Sequence, residues 1–152
     1  MLEVLLYALP AYIANGAPTV FGGKIPIDLN KKINGEPIFG KNKTWKGFAA
    51  GVIGGSLTGC IVFNDVIYGT LLGFLAMVGD LIGSFLKRRL KIKPGKTFFP
   101  LDQTDFMLTS LIGINLKYKL TISAVILLLV FTIAIHLLAS AIGIKLKLKS
   151  SL

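Results

Sequence analysis

The chain has 152 residues, 53% of them hydrophobic and only 16% charged, with mean hydropathy +0.73 and net charge +10. A soluble domain of this size carries roughly a quarter charged residues, and here the apolar residues also fall in long uncharged blocks, which excludes an ordinary water-soluble globule. One cysteine, Cys60, excludes a disulfide framework and a Cys-based zinc site.

About 20 apolar residues cross the hydrocarbon core as a helix. Residues 4–21 form the first such run. No Lys or Arg precedes it, so it reads as a retained helix rather than a signal peptide. Residues 22–46 follow, with Pro26, Pro37 and many polar side chains, and are expected to form a cytoplasmic loop or a short surface helix. Residues 47–63 and 66–86 give the second and third spans, the latter interrupted only by Asp80. Residues 98–116 contain Asp102 and Asp105 but are otherwise uncharged, and Pro100 is tolerable in the first turn of a helix. Residues 120–144 are uncharged throughout. The expected architecture is therefore an all-α integral membrane protein of five transmembrane helices, built as one domain over residues 1–152.

Fifteen of the 17 basic residues fall in residues 22–46, in the segment after the third span, or in the C-terminal tail; only Lys117 and Lys119 lie at the other end. The positive-inside rule puts the fifteen in the cytoplasm, the N-terminus outside and the C-terminus inside. The positive charge then calls for no nucleic-acid partner. Gly47, Gly51, Gly55 and Gly59 recur every four residues, as do Gly69 with Gly73 and Gly79 with Gly83. Small residues at this spacing let helices approach closely in lipid, and the glycine faces could also leave a lateral groove for lipid tails. Whether the packing partner is the same chain or a second subunit is not readable. Cys60, within the second span, reads as a small buried apolar residue.

Three of the seven acids, Asp80, Asp102 and Asp105, lie at the edges of apolar runs with Lys87, Arg88, Arg89, Lys91, Lys93 and Lys96 between them. Carboxylates there are costly unless paired or metal-bound, which marks them as functional candidates. Asp80, Ser84 and Lys87 share a helix face, and Lys91 extends it if the helix continues. Asp102 and Asp105 share another. Side-by-side packing of these helices would bring the three carboxylates together, an oxygen-only set suited to Mg²⁺ with substrate phosphates. A second patch, Lys41-Asn42-Lys43-Thr44 before Trp45, Lys46 and Gly47, places lysines, an amide and a hydroxyl at a helix N-terminus, a plausible anion cradle. Residues 35–42 imitate a P-loop, but no strand precedes them and a transmembrane helix follows, so the match is chance.

Gly79-Asp80, Ser84, Lys87-Arg88 and Pro100-Leu101-Asp102-x-x-Asp105 resemble the signature of the CDP-diacylglycerol synthase superfamily, and Lys43-Thr44-Trp45-x-Gly47 is similar to a second motif of that group. The five spans and Tyr12-x-x-Asn15-x-x-Pro18 look most like its archaeal branch, the CDP-archaeol synthases. Lys93-Pro94, Phe98-Phe99-Pro100 and Gln103 depart from the bacterial pattern in the same direction. The resemblance implies a CTP-dependent transferase acting on an isoprenoid ether lipid phosphate in the plasma membrane. It also implies Mg²⁺ on Asp80, Asp102 and Asp105, phosphate contacts from Lys87, Arg88 and Lys91, and CTP contacts from Asn42, Lys43 and Thr44. Asn15 and Pro18 would border the pocket. Rival readings are a bacterial-type CDP-diacylglycerol synthase, a polyprenol kinase or, in a different class, an ion carrier subunit. The last predicts carboxylates deep in the bilayer, whereas these cluster among bases.

Overall fold

The computed structural model of the protein describes residues 2–92, 96 and 98–145, with the backbone alone described for 139–145. Lys93 and Pro94, and Lys147 and Lys149 of the tail, lie outside the described residues. The elements are α1 (Leu2–Tyr7), α2 (Leu9–Phe21), β1 (Lys32–Ile33), β2 (Glu36–Pro37), α3 (Trp45–Phe63), α4 (Val66–Arg89), α5 (Leu101–Tyr118) and α6 (Ile122–Lys145). Helices dominate, as the uncharged runs require, and α3 and α4 are both long and apolar enough to cross a membrane.

The first apolar run is two helices rather than one. Pro10 stands at the start of α2, where its missing N–H interrupts the ladder, and Ala8 turns the chain and accepts from the amides of Ala11 and Tyr12. Residues 22–44 hold a two-stranded hairpin instead of a surface helix. Lys32 pairs with Pro37 and Ile33 with Glu36. The turn between them is Asn34-Gly35, with φ of 53° and 83°, the left-handed pair that a tight hairpin demands.

α2, α3, α4 and α5 pack as successive antiparallel neighbours, and the glycine faces make the contacts. Gly55 lies against Gly73 and Gly59 against Gly69, so closely that a Cβ at any of these positions would strike backbone. The partner helix is thus within the same chain. Gly51 is closed by Met77 and Ala14, and Gly47 by Pro18. At these positions the glycine faces are taken up by helix contacts. Cys60 is exposed rather than buried, because one residue beyond Gly59 the surface of α3 turns away from α4, as the 81% exposure of Ile61 beside it shows. At the end remote from the hairpin, stacked rings of Tyr7 and Tyr118 and the Lys117–Asp65 ion pair at 2.5 Å hold the helix ends together.

Candidate functional site

Asp80 projects from α4 toward the start of α3, where the first loop returns to the bundle. Lys43 reaches both its carboxylate oxygens at 2.6 Å. These side chains are about a quarter exposed, 26% for Lys43 and 23% for Asp80. They line a small pocket with Pro18, Asn42, Phe48 and Met77. Thr44 is the N-cap of α3. Its Oγ1 accepts from the amides of Gly47 and Gly23, each at 3.1 Å, which fixes both the helix start and the exit from α2. That hydroxyl accepts at the helix start while its own O–H stays available to donate, and Thr44 is among the residues that line the pocket. Asn42 is exposed at the pocket rim, Lys41 is exposed beside it, and Asn15 is half-buried on α2 outside the pocket lining.

One and two turns beyond Asp80, Gly83 and Lys87 meet α5. Lys87 pairs with Asp102 at 2.6 Å, and the same carboxylate oxygen accepts from the Phe98 amide at 2.9 Å. Asp105 is only 8% exposed and rests against Gly83, where any larger residue would overlap its carboxylate. It lies within electrostatic reach of Asp80, Lys43 and Asp102, accepts from the Phe106 amide at 2.7 Å and forms no ion pair among the described residues. Asp105 of α5 therefore lies near Asp80 and Asp102, which are held by Lys43 and Lys87. Ser84 is half-buried on the same stretch of α4. Arg88 is 5% exposed, with Nε unpartnered and no ion pair among the described residues. Lys91 does not extend the Asp80 face. α4 stops at Arg89, the amides of Leu90 and Lys91 fold back onto carbonyls of its last turn, and Lys91 takes φ 56° and is exposed.

Among the described residues, no three or more His, Cys, Asp or Glu side chains stand close enough together to hold one metal ion. Asp80 and Asp102 hold lysine instead. The donor chemistry still fits a hard divalent cation: the set is all carboxylate oxygen, and Asp105 forms no direct ion pair among the described residues.

Sequence reasoning missed two residues that shape this region. Asp28, 5% exposed, accepts from the amides of Asn30, Phe39 and Gly40 at 3.0, 3.0 and 2.9 Å. Burial pushes its carboxyl up, but these N–H donors outweigh that and hold it below its usual 3.8. Arg89 donates to the carbonyls of Ile33, Glu36 and Pro37. Asp28 preceding Asn30 by two carried an Asx-turn signal; nothing local announced the reach of Arg89.

A profile of the CarS-like CDP-archaeol synthase family matches residues 1–152. The chain belongs to that family. CDP-archaeol synthases of Pyrococcus furiosus and Methanocaldococcus jannaschii are 40% and 37% identical to it, over 99% and 95% of this chain and 96% and 93% of theirs. A solved structure, of an intramembrane enzyme for archaeal membrane lipid biosynthesis, superposes with TM-score 0.81 at 35% identity, covering 93% of this chain and 94% of that one. With the apolar α3 and α4, that likeness makes this CDP-archaeol synthase family member a membrane protein.

Proposed function

We propose that the protein catalyses cytidylyl transfer from CTP to 2,3-bis-O-geranylgeranyl-sn-glycerol 1-phosphate, forming CDP-archaeol and pyrophosphate. The observation that carries the reading is that buried Asp105 lies within electrostatic reach of Asp80 and Asp102, which hold Lys43 and Lys87, in a chain matched end to end by the CDP-archaeol synthase family. A lipid phosphate oxygen bonds to the α-phosphorus of CTP, the bond from that phosphorus to the bridging oxygen of the β-phosphate breaks, and pyrophosphate leaves with the electron pair. The nucleophile is already an anion, so no Ser or Cys needs activation. Rate then comes from alignment and neutralisation of charge.

Asp80, Asp102 and Asp105 would hold Mg²⁺, which when bound supplies charge neutralisation at the reacting phosphates and at the departing pyrophosphate. Lys43 and Lys87 keep two of the acids neutralised at 2.6 Å and are placed to donate to phosphate. Arg88 adds a planar donor set for phosphate, with Ser84 alongside. Asn42 and Lys43 line the pocket assigned to CTP, with Pro18 as its wall; Asn15 and Lys41 flank it.

The reading extends to topology. Five membrane crossings by α1–α2, α3, α4, α5 and α6, with the hairpin and the basic end of α4 in the cytoplasm, let CTP reach the site from water while the isoprenoid chains stay in the bilayer. The bias of lysine and arginine supports this orientation. The test is purified protein with α-labelled CTP, Mg²⁺ and a panel of lipid phosphates. Label in an ether lipid with release of pyrophosphate is expected. Preference for an ester lipid, release of CDP with phosphorylation of a polyprenol, or no lipid labelling with any acceptor refutes the assignment.

A further inference from the structure

We propose that Asp28 is the positioning residue that sets Lys43 against Asp80, with Arg89 fastening the same loop to α4; this rests on the reading of the Lys43 pocket as the CTP site. A buried carboxylate with no ion pair among the described residues is an expensive device for holding a loop. Here its whole charge is spent on backbone: one oxygen takes the Asn30 amide, and the other takes those of Phe39 and Gly40. Gly40 has φ 100°, which turns the chain, and its carbonyl accepts from the Lys43 amide at 3.0 Å. The Lys43 carbonyl in turn accepts from the amide of Ile27, Asp28's neighbour, at 2.7 Å. Lys43 is thus held through its amide and its carbonyl by a network centred on Asp28.

The far side of the loop is tied to the helix that bears Asp80. Arg89 donates to Ile33 and Pro37 carbonyls at 2.7 and 2.6 Å, and its guanidinium lies 5.2 Å from the centre of the Phe85 ring. Phe85 also faces Phe39, with ring centres 6.4 Å apart. One rigid connection therefore runs from the last turns of α4 through the hairpin to Phe39, Gly40 and Lys43. Neither Asp28 nor Arg89 lines the pocket, so both act through Lys43 and not on substrate.

Asp28→Asn keeps size but loses the charge, and its N–H₂ must face either the Asn30 amide or those of Phe39 and Gly40. Its KM for CTP should rise about tenfold, the scale of one hydrogen bond to a charged group, while kcat and the KM for lipid phosphate change less than about twofold. The Phe39 and Gly40 amides should lose protection from hydrogen exchange. Arg89→Lys, which keeps charge but not the fork that reaches several carbonyls, should raise the CTP KM in the same direction. An unchanged CTP KM in Asp28→Asn, where Lys43→Ala does raise it, overturns the positioning role. Unchanged values in Asp28→Asn and Lys43→Ala together overturn the CTP pocket and this proposal with it. Equal losses for both substrates, with a lowered unfolding midpoint in detergent, overturn it as well, by showing a general structural role.

Discussion

Replacing Gly83 by alanine tests the meeting of α4 and α5 at the acids. A Cβ there overlaps the Asp105 carboxylate and lies 2.9 Å from both Cβ and Cγ of Asp105, a separation that real side chains do not adopt. Asp105 is 8% exposed, so it has little room to rotate. Either its carboxylate turns away from Asp80 or the helices part. Overpacking of this kind costs about 1–3 kcal/mol, and if that cost falls on the reactive arrangement, turnover drops by about five- to 150-fold. Gly113→Ala is the control. Its Cβ would meet the side-chain ends of Leu72, Leu75 and Leu71, at 2.7, 2.9 and 3.5 Å, and so crowds the core without touching the acids. Initial rates of CTP incorporation and unfolding midpoints in detergent, measured for both variants, separate the two sites. Gly83→Ala should lose much more activity than Gly113→Ala at comparable stability. Wild-type turnover in Gly83→Ala would refute the placement of Asp105 in the site.

Three further outcomes follow from the same geometry. Asp80→Asn, and separately Asp102→Asn, should abolish Mg²⁺-dependent turnover in a protein that still folds and inserts; substantial residual activity in either removes that carboxylate from the metal set. Thr44→Ala removes the acceptor for the Gly47 and Gly23 amides and should destabilise by about 1 kcal/mol, measured by denaturation in detergent, with Thr44→Ser losing much less. Asp28 has a folded pKa below its ordinary 3.8, so its contribution to the loop is complete above 3.8 and is lost only as pH falls through the lower folded value. Protection of the Phe39 and Gly40 amides, corrected for intrinsic exchange, should therefore hold from neutral pH to about 5; a loss within that window would contradict the assignment.

The helices were legible because lipid leaves the backbone few alternatives, and glycines four residues apart announce a contact face whatever their partner. Breaks and ends were less so. Pro10 splits the first run because a hydropathy average weighs its ring and ignores its missing N–H. The hairpin was hidden because polar composition was read instead of the Asn34-Gly35 turn. The candidate acids were legible by type: acids at the edge of an apolar run have few bland explanations. Their partners were not. Lys43 pairs with a residue 37 positions away and Lys87 with one 15 away, choices made by the packing of α3 and α5 on α4. Thr44 does two things at once, capping α3 and lining the pocket.

Unequal helix lengths explain why the site lies where it does. The pairs Gly55–Gly73 and Gly59–Gly69 fix the register of α3 on α4, and carrying that register on places Trp45, the first residue of α3, level with Gly83. α4 continues to Arg89, about 9 Å further at the usual helical rise. The bundle therefore has a step, with α4 as its tall side. The first loop fills the step: the hairpin binds Arg89 at the top, and Lys43 descends to Asp80 below. An acid in the middle of an apolar helix thereby gains a cationic partner, Lys43, at the edge of a small pocket.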